Sequence, residues 1–408
     1  MTSHRPRRIT PSTCALAAVL ALGAVAPRAA AQADIPLDGR ATWGWRVGPM
    51  FEHWSFGCCS DSSVGGSVKT ASEWSVPVVA LVPIGRNVTI DAYAAWMRGT
   101  VTRRDASAGS PQTLQVSGLT DTKLRASVRL GGDAFLATFG VSLPTGKTSL
   151  DAEELAALQV IGAPALRMQT PVLGTGWGGT SGLVYTRRIG AWSWGIGGSY
   201  EYRGKYSPAQ AASLGLGSGD LELHPGQAFR LSLGADGLVG QSAMSMSASS
   251  TFFTHDQVTL SAGGPVADRV TLGPMFTGEW QLRAASSLFR ELNVYLFDRY
   301  RTKYSRGGAK VDGTDGNELE LGARGLVPLS PTLALVTGAR ARHYSGLSID
   351  NTLATAASAS GGIQVGLAWT TGTMVVSPVV GGEIGRIKTG NASLSTHKLE
   401  AMFTISPR

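Results

Sequence analysis

The chain is poor in charge. Only 16% of its 408 residues are Asp, Glu, Lys or Arg, whereas a soluble globular protein carries about 25%. A water-soluble protein of this length normally carries more charge on its outer surface, so the composition argues against a soluble globule. The formal net charge is +8, and no run of Lys and Arg alternates with aromatic residues, so the sequence predicts no nucleic-acid partner.

Cysteine is also scarce. Apart from Cys14, the sequence contains only the adjacent pair Cys58 and Cys59, which cannot connect distant parts of a fold. One interpretation is a vicinal disulfide or two idle thiols in an exported loop, and the other is a metal or redox site. No C-x-x-C motif or nearby ligand set accompanies the pair, which favours the first interpretation. The sequence therefore predicts neither a metal nor a cofactor.

Long apolar runs are missing as well. Beyond the N-terminal segment no stretch of about 18 apolar residues occurs, so no transmembrane helix is predicted. The N-terminal segment itself has three arginines, a short apolar stretch Cys14–Val25 and an A-x-A site at Ala29 and Ala31. This order is typical of a cleaved signal peptide. We expect residues 1–31 to be removed with four arginines and no acid, which leaves residues 32–408 as one exported domain of net charge +4.

Motifs of hydrolytic or metal-dependent catalysis do not occur. The sequence has no G-x-S-x-G and no H-E-x-x-H, and the histidines beyond the signal segment are scattered: His53, His224, His255, His343 and His397. The segment "GTGWGG", Gly174–Gly179, has the spacing G-x-G-x-x-G. It precedes a predicted strand, whereas a phosphate cradle needs a helix N-terminus. The sequence predicts no enzyme.

What the sequence has in abundance is glycine, 53 residues, together with segments in which apolar and polar residues alternate. In "DTKLRASVRLGGDAFLATFGVSLPTG", Asp121–Gly146, Val128 and Val141 share an apolar face, and Arg125 and Ser127 belong to the polar face. Side chains alternate across a strand, so this segment is a predicted β-hairpin. Such a hairpin fits a soluble sandwich with water outside, or a membrane barrel with lipid outside and water inside.

The alternation recurs along the chain in segments of about ten residues, which is typical of an outer-membrane barrel. Examples are Val88–Met97, Phe229–Asp236, Asn317–Val327 and His397–Ile405. Short turns are predicted at 83–87, 131–133, 189–191, 237–241, 286–290, 329–332 and 370–372. Longer segments rich in Gly, Ser and Asp lie near 57–70, 103–113, 147–179, 203–225, 255–267, 305–316, 345–359 and 388–396.

These seven turns and eight long loops predict the fold class. The expected architecture is all-β, an up-and-down antiparallel transmembrane β-barrel of about 16 strands, with 12 to 14 strands as the alternative. The short turns are expected in the periplasm together with both chain ends, and the long loops outside the cell. Tryptophan supports this topology, because aromatic rings prefer the two membrane interfaces. In this register Trp43, Trp45, Trp192, Trp194, Trp280 and Trp369 fall near periplasmic strand ends, and Trp54, Trp74 and Trp96 near external ends.

The longest predicted loop contains a helical pattern. The segment "SLDAEELAALQVI", Ser149–Ile161, begins with Ser149 as a candidate cap, and Asp151, Glu153 and Glu154 form an acidic first turn. One interpretation is a helix that folds into the lumen as a constriction. The other is a solvated helix on the surface, and the sequence favours neither.

Charged residues on the strands are the candidate functional residues. Charge on a lipid-facing strand position is costly, so these residues are predicted to line the lumen. They are Asp91, Lys123, Arg125, Arg129, Arg230, Glu318, Glu320, Arg324, Arg340, Arg342 and Glu383. The alternative is that these charges pair with one another across the barrel and only hold its shape.

One part of the chain resembles a known family. It contains the strand end L-P-T-G at Leu143–Gly146, the G-T-G at Gly174–Gly176, and a glycine-rich strand that ends in Tyr202 and Arg203. This order of features resembles the outer-membrane transporter family named for the meta-cleavage (MetA) pathway of phenol degradation. The match covers about residues 118–206 and continues more loosely to the C-terminus. The resemblance implies a membrane barrel that moves small, often aromatic or hydrophobic molecules, and it implies no catalytic residues.

The predicted function is a channel for passive passage of small molecules across the outer membrane of a Gram-negative-type bacterium. Its partners are then outer-membrane lipid and a small-molecule solute. The first alternative is a non-transporting barrel that acts as an adhesin or structural surface protein. The second is a soluble secreted β-protein, which the low charge and the dyad repeats argue against.

Overall fold

The computed structural model of the chain is mainly β-strand. It describes residues 43–57, 68–104, 111–132, 134–169, 173–210, 220–260, 269–347, 353–389 and 392–407. The strands are β1 Gly44–Val47, β2 Met50–Phe56, β3 Val68–Ile84, β4 Val88–Arg104, β5 Pro111–Leu119, β6 Thr122–Leu130, β7 Phe135–Leu143, β8 Gly178–Ile189, β9 Trp192–Arg203, β10 Tyr206–Gln210, β11 Asp220–His224, β12 Ala228–Val239, β13 Ser242–Phe253, β14 His255–Leu260, β15 Val270–Thr271, β16 Met275–Ala284, β17 Glu291–Arg301, β18 Ser305–Arg306, β19 Ala309–Lys310, β20 Gly316–Pro328, β21 Leu333–Tyr344, β22 Ala357–Thr371, β23 Met374–Thr389 and β24 Ala392–Pro407. One α-helix, α1 Ala152–Ile161, and one 3-10 turn, Leu353–Thr355, complete the secondary structure of these ranges.

The long strands form one closed antiparallel wall. Each pairs with the next along the chain, and β24 pairs with β1 and β2, which closes the wall. Because β1 and β2 follow each other along β3, and β5 and β6 along β4, the wall has 16 strand positions. The prediction of an up-and-down antiparallel barrel of about 16 strands is confirmed.

The connections differ in length at the two ends of the barrel. All seven predicted turns connect neighbouring wall strands at one end, here called the short-turn end, and both described chain ends lie there. At the opposite, long-loop end, six short strands form a second sheet above the wall: β10, β11, β14, β15, β18 and β19. The long loop predicted at 388–396 is wrong, because β23 and β24 pair as far as Thr389 and Ala392. Ser393 and Ser395 in that segment belong to β24 and pair with Lys388 and Arg386 of β23.

The two faces of the wall differ in polarity. Large apolar side chains are exposed on the outer face of the wall strands, for example Phe139 at 58%, Leu231 at 61% and Ile363 at 73%. Polar and charged side chains alternate with them and face the interior. The tryptophans predicted near strand ends are found there at the short-turn end, namely Trp43, Trp45, Trp192, Trp194 and Trp369. Trp74, Trp96 and Trp280 lie farther inside β3, β4 and β16, so for them the prediction is wrong. A further exception is Trp54. It faces the interior and is 2% exposed, because it alternates with outward His53 and Ser55 on β2.

The signal segment 1–31, Cys58 and Cys59 lie outside the described residues. In the part of the chain that is described, no helix is long and apolar enough to cross a membrane.

Candidate functional site

The connection between β7 and β8 folds into the barrel. We call residues 144–177 the inner segment, of which 144–169 and 173–177 are described. Its helix α1 packs against the interior faces of β3, β4 and β5. Leu155, Ala157, Val160 and Ile161 of the helix are buried in one apolar cluster with inward side chains of the wall. Of the two interpretations of this helix, the structure therefore supports the one inside the barrel.

The start of α1 is set by a capping box. The Asp151 side chain accepts a hydrogen bond from the Glu154 backbone N–H at 2.8 Å, and the Glu154 side chain accepts one from the Asp151 N–H at 3.3 Å. These bonds satisfy backbone donors that the first helical turn leaves unpaired. The predicted cap at Ser149 is wrong by two residues, because the reciprocal partner three positions on is Glu154 and fits Asp151.

The helix fits the wall through a glycine. A Cβ atom at Gly99 of β4 would overlap Cδ1 of Ile161 and would lie 3.2 Å from Val116. The absence of a side chain at Gly99 thus forms a socket for Ile161, which is 1% exposed. Close packing of this kind makes the position of the helix specific, because the interior tolerates little change in volume.

Both ends of the inner segment are fastened by one buried carboxylate. Asp121 is 2% exposed and lies between β5 and β6. Its Oδ1 accepts a hydrogen bond from the Gly146 N–H at 3.0 Å, and its Oδ2 accepts hydrogen bonds from the Thr175 N–H at 2.6 Å and the Thr175 hydroxyl at 3.2 Å. Gly146 and Gly174 touch each other there, since a Cβ atom on either would lie 2.6 Å from the other's backbone. The L-P-T-G and G-T-G motifs are therefore the two ends of the inner segment, clamped side by side.

A chain of alternating ion pairs fastens the middle of the inner segment. Four carboxylates each lie between two cations, and a fifth, Glu52, ends the row beside Lys398. The order is Arg299, Glu318, Arg167, Glu320, Arg342, Glu383, Arg340, Glu400, Lys398 and Glu52. All of these except Arg167 belong to the wall, on β2, β17, β20, β21, β23 and β24. We call this row the ion-pair chain.

Arg167 connects the inner segment to this chain. Its Nη1 lies 2.6 Å from Glu318 Oε1 and its Nη2 lies 2.8 Å from Glu320 Oε2. It is the one non-glycine residue with a positive φ, 52°, among the described residues, a conformation that is uncommon and costly for a side chain of this size. Two residues later, the Gln169 N–H donates to Glu52 Oε2 at 2.6 Å. The inner segment thus contacts the ion-pair chain at two separate points.

The predicted lumen residues fall into two groups. Five of them take part in the ion-pair chain: Glu318, Glu320, Arg340, Arg342 and Glu383. The others lie apart from it. Arg125 pairs with Asp91 at 2.8 Å, Arg230 donates to the Ser249 hydroxyl at 2.9 Å, Lys123 and Arg324 are exposed, and Arg129 is half-buried. In the first group the charges are paired and, apart from the half-buried Arg340, buried, whereas in the second they are accessible to water.

Several fastening residues were missed by sequence reasoning. Asp121 precedes the predicted strand and shows no distinctive spacing. Arg167 could have been recognised, because it is the only charged residue between Glu154 and Arg187. A single charge in a long stretch of apolar and small residues indicates a buried ion-pair partner. Among the described residues, no group of three or more His, Cys, Asp or Glu side chains is arranged to hold a metal ion.

Comparisons with known proteins give distant likenesses. No protein-family model matches the chain, and no curated protein matches it. Among solved structures, it is similar to an outer membrane channel from Pseudomonas putida F1 at 12% identity and a TM-score of 0.33, over 91% of this chain and 98% of that one. It is also similar to Pseudomonas aeruginosa OccK2, at 9% identity and a TM-score of 0.41 over 89% and 98% of the chains, and to Pseudomonas aeruginosa OpdQ, at 9% and 0.41 over 89% and 97%. Function is therefore inferred from the geometry of the chain itself.

Proposed function

We propose that the chain is an outer-membrane channel through which small molecules pass down their gradients, and that it reaches this membrane after cleavage of the signal segment 1–31. The apolar outer face and the closed wall support the location, since a spanning barrel needs lipid-facing apolar residues and no free strand edge. On this proposal the short-turn end lies in the periplasm and the long-loop end outside the cell.

The observation that carries the channel function is the inner segment within a wide wall. Barrels of about 16 strands are wide enough to leave an aqueous channel. In this chain the clamp at Asp121, the socket at Gly99 and the ion-pair chain hold a helix and its flanking residues inside that space. A segment fastened at so many points is suited to set the width of the passage.

The charges that remain accessible to water are proposed to line the passage and bias it by charge. Lys123, Arg129, Arg230 and Arg324 are in this group, and rings or patches of charged side chains are a common basis of ion preference in pores. The buried ion-pair chain is instead proposed to hold the inner segment in place. The resemblance to the meta-pathway family implies aromatic or hydrophobic molecules as the class of solute.

The purified barrel in planar bilayers tests this function. We expect stepwise single-channel currents, and an increase in their size when residues 148–172 are replaced by a short Gly-Ser linker. A matched control replaces the exposed turn 329–332 between β20 and β21 with a linker of the same kind and is expected to leave the current unchanged. The alternative, an adhesin or structural barrel, predicts no current from the full chain, and recovery of the protein in the soluble fraction would refute the membrane location.

Charge preference is tested separately at Arg129. Arg129→Glu is expected to shift the reversal potential under a salt gradient toward cations, and about 1 M salt should weaken the shift because the Debye length is then only about 3 Å. Arg342→Gln, in the buried ion-pair chain, serves as the contrast and is expected to alter stability more than ion preference. The same reversal potential in Arg129→Glu and the unmodified chain would contradict the proposed role.

A further inference from the structure

The interior of the barrel is divided into two unlike halves. On β2, β3, β21, β23 and β24 the inward side chains near the inner segment are buried, and even small polar ones such as Ser75 and Thr396 are 1% exposed. On β7, β8, β9, β12 and β13 at least two successive inward positions of each strand are Ser, Thr or Gly. We call these inward positions the hydroxyl wall.

The hydroxyl wall is accessible to water. Thr180, Ser199 and Ser247 are exposed, and Ser232 and Gly234 are half-buried. Their inward direction follows from the pairing, because Gly234 pairs with Ser247 and both alternate with outward Leu233 and Met246. Space therefore remains beside this wall, opposite the half that the inner segment fills.

From this juxtaposition we infer that the passage runs along the hydroxyl wall, on one side of the interior, and that its solutes are small polar molecules rich in hydroxyl or carboxylate oxygen. This inference rests on the proposed channel function and specifies its path and solute class. A solute that sheds water in a narrow passage needs replacement hydrogen bonds, because unmet polar groups are costly. Serine and threonine hydroxyls both donate and accept, so they supply such bonds along several strands.

Arg230 adds an anchor for oxygen-rich solutes. Its guanidinium donates to the Ser249 hydroxyl at 2.9 Å, and a guanidinium carries five N–H donors, so further donors remain for a passing oxygen atom. An aromatic ring satisfies none of these donors and leaves the wall hydroxyls without partners. The hydroxyl wall therefore favours polar solutes over the aromatic class that the family resemblance implies.

Thiol labelling at three serines tests the path. Ser247→Cys, Ser75→Cys and Ser250→Cys are made in a chain that also carries Cys58→Ser and Cys59→Ser, and a charged methanethiosulfonate reagent is added during bilayer recording. Ser247→Cys, on the hydroxyl wall, is expected to lose current stepwise. Ser75→Cys, inward but in the filled half, and Ser250→Cys, on the outer face of β13, are expected to keep it. Heat-modified migration on gels confirms that each variant is folded.

A bulky side chain at a roomy glycine gives an independent readout. A Cβ atom at Gly234 would meet nothing closer than 3.6 Å, and one at Gly198 nothing closer than 3.8 Å. Gly234→Trp is expected to lower the current because the ring projects into the passage. Gly198→Trp, which projects from the outer face, is the matched control and is expected to conduct like the unmodified chain.

Gluconate and benzoate, which carry the same charge, test the solute class in proteoliposome flux. Faster entry of gluconate is expected, and loss of that preference in Ser247→Leu. An unmodified chain that passes no current overturns the channel function itself. A conducting chain in which Ser75→Cys is blocked, or Ser247→Cys is not, overturns the path and leaves the channel function standing, and faster entry of benzoate overturns the solute class.

Discussion

Replacement of Arg167 by alanine is expected to release the inner segment while the barrel stays closed. Arg167 binds Glu318 and Glu320 at 2.6 and 2.8 Å, and its side chain is 6% exposed. The wall does not depend on it, because the wall is held by the ladder of strand hydrogen bonds. Arg167→Ala therefore separates the position of the inner segment from the integrity of the barrel.

The size of the effect follows from the two carboxylates that Arg167 leaves behind. Removing one partner of a buried ion pair costs about 3–5 kcal/mol. Here Glu318 keeps Arg299 and Glu320 keeps Arg342, so the lower end of that range, about 3 kcal/mol, applies. Because 1.4 kcal/mol is a tenfold change in an equilibrium constant, the ratio of fastened to released segment should fall about a hundredfold.

Limited proteolysis with thermolysin reports the release, because its apolar cleavage sites in α1 are buried while the helix is packed. Arg167→Ala is expected to be cut within α1 much faster than the unmodified chain, and its single-channel current is expected to become larger and noisier. Arg86→Ala, in the exposed turn between β3 and β4, is the control and should behave like the unmodified chain. Unchanged cleavage together with unchanged current in Arg167→Ala would refute the role of this arginine.

Three further changes test other contacts. Val141→Arg is expected to lower the free energy of unfolding in vesicles by about 2–4 kcal/mol near the bilayer midplane, more than Ser142→Arg on the opposite face of β7, and equal costs would contradict the assignment of the faces. Asp121→Ala removes three hydrogen bonds to a buried carboxylate, each worth about 1.5–3 kcal/mol, so thermolysin should cut the inner segment faster; cleavage as slow as in the unmodified chain would count against the clamp. Gly99→Val is expected to displace α1 through overlap with Ile161. Adding Ile161→Ala to the same chain is expected to restore protection from thermolysin, whereas no such rescue would follow if Gly99→Val only destabilised the strand.

The wall could be predicted from the sequence because the pattern that specifies each strand and turn involves only residues that are close together in the sequence. A strand with lipid on one side and water on the other repeats every two residues, and the turns that join such strands need few residues with characteristic composition. Leu231 and Arg230 thus indicate their faces without reference to any other part of the chain. The long loop predicted at 388–396 is wrong for the same reason, since Ser393 and Ser395 are typical of loops in composition although they pair with β23 in the structure.

The contacts of the inner segment could not be predicted, because they join residues that are distant in the sequence. Arg167 meets Glu320 across 153 positions, and Gln169 meets Glu52 across 117. No periodicity encodes such pairings. The choice between lumen-lining and mutually paired charges had the same difficulty: Glu318 and Arg125 look alike in the strand pattern, yet one is buried among cations and the other stays half-exposed beside Asp91.

The pairing of β24 with β2 has a consequence for assembly. Ser55 and His397 meet there across 342 positions, so the wall closes between strands that are far apart in the sequence. Until then both outer strands present unpaired backbone groups, which can pair with another chain, and bringing such distant ends together is entropically costly. The buried pair Lys398 and Glu52 lies at this seam. An error of register when the wall closes therefore leaves a buried charge without its partner. A misregistered closure is therefore costly at this seam, and because Gln169 binds Glu52, the inner segment shares a carboxylate with it.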